Sequence, residues 1–417
     1  MMTTKNAKTL DKSGTETSPV ALPQAAYIHL PFCRQRCFYC DFPIVAVGPR
    51  QDLGASSLVE KYEAALIQEI ATATGPAPLT SIFFGGGTPS LFPLDPLERL
   101  LVWLEKQFGF GANLEMSLEI DPGTFDLAQL RRYQALGVNR LSLGVQAFQD
   151  RHLTALGRHH RRRDIDEAIN LIHQAGFENW SLDLISGLPG QTLEDWCQSL
   201  TEALAAGPSH LSCYDLVVEP GTVFGKRFQP ETVPLPPQES TAQMYSLAHE
   251  TLTQVGFDHY EISNYARPGR QCRHNLVYWR NQPYYGFGLG AASYLNGVRL
   301  TRPRTRAEYY AWVNELPQAP EPPLSRREQL LETLMLGLRL REGVDLKPLL
   351  KDLSPQEESA LWRCLEPYFK EGYGEIFDPE DHRPGLKPGD NGLRLRLTAP
   401  EGFLRSNRIL AALFAVL

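Results

Sequence analysis

Three cysteines crowd into Cys33-Arg-Gln-Arg-Cys37-Phe-Tyr-Cys40, a C-x3-C-x2-C spacing that directly follows the short apolar run Tyr27-Ile-His-Leu-Pro-Phe. Thiolates are the usual ligands of iron–sulfur clusters, and four of them saturate a [4Fe–4S] cubane. Three leave one iron open to a small ligand, such as one offering an amino and a carboxylate group. The rival reading is a structural zinc site with His29 or Asp41 as fourth ligand. Zinc sites generally split into two ligand knuckles, and the chain has no second C-x2-C or H-x3-H pair. The spacing therefore favours a cluster.

Other groups suited to holding a polar ligand recur where strand-like runs end. Gly85-Gly86-Gly87-Thr88-Pro89 lets backbone approach a ligand closely, or simply makes a tight strand-to-helix turn. Glu119 and Asp121 end a third run, Gln146 follows a fourth, and Asp183 lies in a fifth. Each polar group at an apolar strand end needs a partner once buried. Taken singly each reads as a structural hydrogen bond, but four around one rim favour a shared polar ligand.

The elements that must position these residues alternate. Strands are expected at Tyr27–Leu30, Ser81–Phe84, Glu115–Ile120, Arg140–Val145, Trp180–Ile185 and His210–Tyr214. Amphipathic helices are expected at Leu58–Thr72, Leu94–Gln107, Leu127–Leu136, Asp164–Ala175 and Leu193–Ala205. Six βα repeats imply an α/β fold with a parallel sheet, two repeats short of a closed eight-fold barrel. The architecture expected is thus an open, partial (βα)6 barrel over 23–237, with ligands at the C-terminal strand ends. The cysteines do follow the first strand. Beyond the Pro-rich Gln229–Pro237, residues 238–315 read as an extension: a helix at Gln238–Gly256, then a loop-rich aromatic segment, His259–Asn296. Within it, Gly286-Phe-Gly288-Leu-Gly290 lacks dinucleotide-loop spacing and reads as a turn. Leu316–Pro323 reads as a linker. A helix at Ser325–Leu340, an alternating run at Leu393–Thr398 and a last helix from Ser406 suggest a small winged-helix-like domain over 324–417.

Composition excludes several classes. Of the 417 residues 42% are apolar and 21% charged, and the net charge is −7. That balance argues against broad electrostatic binding to nucleic acid or anionic membrane. The basic residues of the tail (Arg394, Arg396, Arg405, Arg408) have acidic neighbours, so no nucleic-acid partner is expected. Seven cysteines, an odd number with three clustered, point to a reducing, cytoplasmic setting rather than a disulfide framework. Residues 1–22 read as a polar, disordered tail and not a signal peptide. No run reaches the length of a membrane span. Cys197, Cys213 and Cys364 are dispersed and read as buried apolar residues. Arg158-His-His-Arg-Arg-Arg163 reads as a solvated helix start apart from its first residue, with Arg161–Arg163 as a lesser candidate for contacting carboxylates.

The cysteine loop, the glycine turn, Ser117-Leu-Glu119-Ile-Asp-Pro122, Leu143-Gly-Val-Gln146, Leu156-Gly-Arg158 and Asp183-Leu-Ile-Ser-Gly-Leu-Pro-Gly190 together resemble the radical S-adenosylmethionine proteins. The resemblance is to the branch containing oxygen-independent coproporphyrinogen III oxidase (HemN) and the heme chaperone HemW, and it covers nearly all of the chain from Tyr27. It implies a [4Fe–4S] cluster on Cys33, Cys37 and Cys40. It also implies S-adenosylmethionine contacts from Tyr27, Tyr39, Gly86, Gly87, Thr88, Glu119, Gln146, Arg158, Asp183 and Val217. Arg158 suits the methionine carboxylate, and Asp183 or Glu119 suits the ribose hydroxyls.

Departures within the branch separate two functions. The oxidase pattern carries another cysteine two positions past the last ligand, where this chain has Phe42. His274-Asn-Leu-Val-Tyr278-Trp279 matches the H-N-x-x-Y-W motif that the chaperone branch associates with heme. A neutral imidazole can ligate heme iron, and Tyr278 and Trp279 can cover a macrocycle; Cys272 is read as structural. The resemblance thus implies a heme chaperone with apo-hemoprotein recipients, and admits an electron donor, a homodimer and peripheral membrane contact through the recipients. The alternative is the oxidase itself, which converts propionate side chains to vinyls by radical oxidative decarboxylation.

Overall fold

The computed structural model describes residues 22–48, 53–54, 56–75, 77–229, 232–317, 322–351, 353–379 and 392–417. The expected tail lies outside the described residues except for Leu22, and the middle of the expected linker, 318–321, lies outside them too.

Six parallel strands build the sheet: β1 (Ala25–Leu30), β2 (Leu79–Gly86), β3 (Phe110–Ile120), β4 (Arg140–Gln146), β5 (Trp180–Ser186) and β6 (His210–Asp215). They pair in sequence order. The crossovers carry α1 (Ser57–Thr72), α2 (Leu94–Phe108), α3 (Leu127–Ala135), α4 (Arg162–Ala175) and α5 (Leu193–Ala205). Strand alternation decides what faces where. Ile28, Leu30, Ile82, Phe84, Leu118, Leu141, Leu143, Leu182 and Leu184 are fully buried in one core with Leu66, Leu97, Leu104, Ile165 and Leu200 of the helices. The intervening positions (Tyr27, His29, Ser81, Phe83, Ser117, Glu119, Ser142, Ser181, Asp183, Ser212) fall on the opposite, inner face.

The aromatic segment expected to be loop-rich is instead structured, which corrects that reading. It supplies β7 (Asp258–Glu261) and β8 (Asn264–Ala266), an antiparallel addition beside β6, and β9 (Tyr285–Phe287), which pairs parallel with the free side of β1. Among the described residues the sheet has nine strands, and its end strands β9 and β7 do not pair, so the barrel stays open. Elements of three or four residues have too few positions for periodicity to show. Gly286, read as part of a turn, lies inside β9. A Cβ there would stand 1.9 Å from the Ala292 carbonyl oxygen, so the glycine permits a backbone approach.

The connection from β8 to β9 holds α7 (Arg273–Trp279), which follows α6 (Gln238–Gln254) in the chain. Farther along, α8 (Arg306–Asn314) returns onto α1. There Glu69, buried, takes an ion pair from Arg302 at 2.7 Å, a bond from the Tyr309 hydroxyl at 2.7 Å and one from Gly288 N–H at 2.9 Å.

A second core gathers Leu330 and Leu334 of α9 (Arg326–Gly337), Leu361 and Leu365 of α10 (Pro355–Lys370), Leu395 and Leu397 of a three-stranded antiparallel sheet, and Ile409 and Leu413 of α11 (Ser406–Val416). Helices plus a small antiparallel sheet are the winged-helix-like arrangement expected. The unit docks by main chain: Ile262 N–H donates to Arg339 O and Arg341 N–H to Tyr260 O, both at 3.0 Å, which covers the outer edge of β7. No helix among the described residues is long and apolar enough to cross a membrane.

Candidate functional site

The cysteine loop leaves the C-terminal end of β1 and is pinned over the barrel mouth. Arg36 donates to the carbonyls of Cys40 (3.1 Å) and Phe42 (2.8 Å), Phe38 N–H to Leu156 O (2.9 Å), and Phe224 N–H to Phe38 O (2.9 Å). Cys33, Cys37 and Cys40 are free thiols, each half-buried. Burial pushes the Cys33 thiol up to about 12, and the Thr88 hydroxyl, 3.5 Å from its sulfur, pulls the other way. Arg158 Nη1 lies 3.7 Å from the Cys37 sulfur.

The zinc alternative loses its fourth ligand. His29 is buried with both ring nitrogens engaged, Nδ1 by the Tyr27 hydroxyl (3.0 Å) and Nε2 by Pro43 O (2.9 Å), and burial lowers it to about 4. Asp41 is exposed and paired with Arg304 at 2.9 Å. Among the described residues, no three His, Cys, Asp or Glu side chains gather tightly enough for one metal ion. Three thiols on one pinned loop, with a hydroxyl and a guanidinium aimed at two of the sulfurs, are a donor set that fits a cluster of several irons.

Around this loop the rim residues meet. Gly86 takes φ +116°, and a Cβ there would stand 2.4 Å from the His29 ring; one on Gly87 would stand 2.5 Å from the Pro31 carbonyl carbon. The glycine turn thus closes first of all on β1 itself. Gly86 N–H donates to Glu119 at 3.0 Å. Burial raises the Glu119 carboxyl to about 8, with the Gly86 bond opposing and Asp183 and Asp121 adding repulsion. Asp183 lies deeper. Burial raises it, and the hydroxyls of Ser142 (2.7 Å) and Ser181 (3.0 Å) hold it. Gln146 takes φ +66°, rare for a residue with a Cβ, at an irregularity in the β4–β5 pairing. Val217 and Phe42 are exposed, and Tyr27 and Tyr39 are half-buried at the mouth.

Asp121 joins two parts of the site. It accepts from Thr88 Oγ1 at 3.2 Å and pairs closely with Arg158, which also donates to Gly144 O at 2.9 Å. Asp121 was visible in the sequence as a strand-end acid, but nothing there tied it to Arg158, 37 positions away. The basic run is less solvated than expected. Arg158, the exception to that reading, is buried; His160 is buried as well, and of the last three arginines only Arg163 is exposed. Arg162 is tied to Asp166 and Glu202 instead. Cys197 is exposed rather than buried, whereas Cys213 is buried and Cys364 half-buried.

The second group of residues sits at the other end of the barrel. α7 closes the N-terminal mouth of the strands. Glu115 accepts from His274 N–H at 3.2 Å at the start of this helix, where a carboxylate complements the helix dipole. His274 points onto the inner face. Its Nδ1 meets Ser81 Oγ (3.0 Å), its Nε2 meets the Tyr278 hydroxyl (2.8 Å), and its ring stacks on Phe83. Burial lowers it to about 3, so the imidazole is neutral, with both nitrogens engaged. Cys272 is buried beside Glu115. Ser81 and Glu115 were not singled out from the sequence; their signal was a polar residue on the inner-face register of an otherwise apolar strand.

Residues 27–203 match the Radical SAM superfamily, and residues 324–376 match the HemN C-terminal domain. The protein named heme chaperone HemW in a Synechocystis strain is 52% identical over 410 residues, covering 96% of this chain and 98% of the relative. The chain belongs to the HemW branch of the radical SAM proteins. The HemW of Bacillus subtilis is 38% identical, covering 78% of this chain and 85% of its own. In fold the chain is similar to coproporphyrinogen III oxidase (HemN) from Escherichia coli, a radical SAM enzyme, with a TM-score of 0.77 at 24% identity, covering 95% and 91% of the two chains. The HemW branch and this oxidase thus share one architecture, and fold alone does not separate them.

Proposed function

We propose that this protein is a heme chaperone, which binds heme and delivers it to apo-hemoproteins from a radical SAM scaffold. The observation that carries the reading is the 52% identity across 96% of the chain to a relative named heme chaperone HemW. Phe42 supports it, since the position where the oxidase pattern has a thiol here holds an exposed aromatic ring.

In this reading Cys33, Cys37 and Cys40 hold a [4Fe–4S] cluster, which supplies one-electron chemistry and an open iron when bound. The rim formed by Tyr27, Tyr39, Gly86, Gly87, Thr88, Glu119, Gln146, Arg158, Asp183 and Val217 would hold S-adenosylmethionine. Arg158 shares its charge between Asp121 and the ligand carboxylate. Glu119, neutral up to about pH 8, can donate a hydrogen bond as well as accept one. Heme is held at the segment carrying His274, Tyr278 and Trp279. His274 is already in the neutral form that iron needs, but ligation requires it to exchange its bond to Ser81 or to Tyr278.

Heme titration of the purified, cluster-loaded protein, followed at the Soret band, tests the reading. A saturable complex that His274→Ala weakens is expected. Absence of heme binding by the native chain overturns it.

A further inference from the structure

The two ends of α7 face different parts of the molecule. His274 points into the barrel, whereas Trp279 packs against Leu340 and Tyr260 beside the C-terminal unit. A groove of about 560 Å³ opens there, between the end of α7 and the unit built on α9. Its volume falls within the roughly 300–1,000 Å³ of sites that enclose ligands of drug size. One wall is apolar, from Leu330, Leu340, Val344 and Leu349, and Trp279 supplies an aromatic surface. The Trp279 Nε1–H is buried and has no hydrogen-bond partner among the described residues.

The rim carries two guanidiniums, Arg280 and Arg394, and two acids, Glu342 and Asp345, and both guanidiniums lean on Glu342. Arg280 forms a two-pronged pair with Glu342, at 2.8 and 3.0 Å, and Arg394 Nη2 lies 3.8 Å from the same carboxylate. Asp345 also lines the groove, but its carboxylate is already bonded to Lys347 N–H at 2.9 Å. Arg280, Arg394 and Glu342 are all partly exposed, at 40%, 27% and 38%. Arg394 also donates to the Glu342 and Gly343 carbonyls at 2.6 and 2.7 Å, so an incoming carboxylate takes the place of the Glu342 side chain on Arg280 and shares Arg394 with those carbonyls. A planar apolar body with a carboxylate at its edge matches this lining. The wall takes the ring, and the arginines take the acid in place of Glu342.

We infer that this groove seats the porphyrin, with its propionates on Arg280 and Arg394 and its ring against Trp279. The inference rests on the heme-chaperone reading and deepens it. It places the ring on the face of α7 opposite His274 and so stands in place of ligation by that imidazole: His274→Ala is then expected to leave hemin affinity unchanged, against the weakening that ligation predicts. The seam between barrel and C-terminal unit becomes the binding site, and relative movement of the two becomes a route to release.

The test is a set of hemin titrations on the full-length protein, with thermal melting as the check on folding. Arg280→Gln removes one anion partner and is expected to weaken hemin about tenfold, the loss of one charge-assisted bond. Thr333→Trp, on the groove lining, is expected to abolish binding by filling the space. Glu342→Gln removes the competing acid and is expected to tighten binding. That gain cannot come from a damaged fold. Native protein that binds hemin while all three variants bind it equally well overturns the groove and leaves the chaperone reading intact. Native protein that binds no hemin overturns both.

Discussion

The Thr88 hydroxyl lies 3.5 Å from the Cys33 sulfur, although the two residues stand 55 positions apart in the chain. The same hydroxyl shares its one proton between this sulfur and Asp121, at 3.2 Å, and Asp121 in turn pairs with Arg158 beside Cys37. The cysteine loop and the ends of two other strands therefore form one polar unit around the sulfurs. Hydrogen bonds to cluster sulfurs stabilise the reduced, more negative state. Thr88→Val, which keeps the shape and removes the donor, is expected to lower the midpoint potential of the reconstituted cluster. The shift should reach up to about tenfold in the reduced-to-oxidised ratio, or ~59 mV for one electron. Redox titration followed by electron paramagnetic resonance, without S-adenosylmethionine, measures it. An unchanged potential with full iron content refutes the role. Cys33→Ser, by contrast, should lose the cluster itself.

Glu119 gives the site a pH signature. Its carboxyl stands at about 8 in the fold against an ordinary 4.5, so the folded chain holds an extra proton between those values. Folding stability from this group is therefore undiminished below about 4.5, falls as pH rises through the window, and is lowest above 8. Glu119→Gln keeps an acceptor for Gly86 N–H and removes the charge. The variant should be more stable than the native chain at pH 9 by up to roughly 5 kcal/mol, and within about 1 kcal/mol of it at pH 5. Denaturant unfolding at the two pH values, without ligand, provides the comparison. A variant equally destabilised at both contradicts the assignment.

The buried pair Glu69–Arg302 holds α8 and the β9 turn onto α1. Removing only the cation leaves a carboxylate buried without its counter-charge. Arg302→Met is expected to cost about 3–5 kcal/mol. Adding Glu69→Gln, which is neutral and still accepts from Gly288 and Tyr309, should recover part of that loss. Urea unfolding of the two variants decides the matter, and a double variant no better than the single one argues against the charge as the cause.

Much of this was legible from residue patterns. The six strands and five crossover helices follow runs long enough for their periods to show, as in Arg140–Gln146 and Leu193–Ala205, the latter opened by the Thr192–Asp195 capping box. The rim also followed, because the ends of parallel strands converge by topology. What stayed hidden were contacts between short or distant pieces. β9 offers three residues, and its glycine reads as a turn until β1 is seen to need a neighbour. His274 stands beside aromatics in the sequence, but only the register of β2 brings Ser81 and Phe83 against it. Cys197 was misread because it was judged by residue type alone; the period of α5, which buries Trp196, Ser199, Leu200 and Ala203, leaves it on the outer face.

In the proposed reading this scaffold handles heme rather than oxidising a porphyrinogen. The most direct measurement takes one anaerobically reconstituted batch of the full-length protein and divides it between a hemin titration and an assay with coproporphyrinogen III, S-adenosylmethionine and a reductant. The account predicts saturable hemin binding, with no protoporphyrinogen above the protein-free control. Steady accumulation of protoporphyrinogen, with no hemin bound, would contradict it.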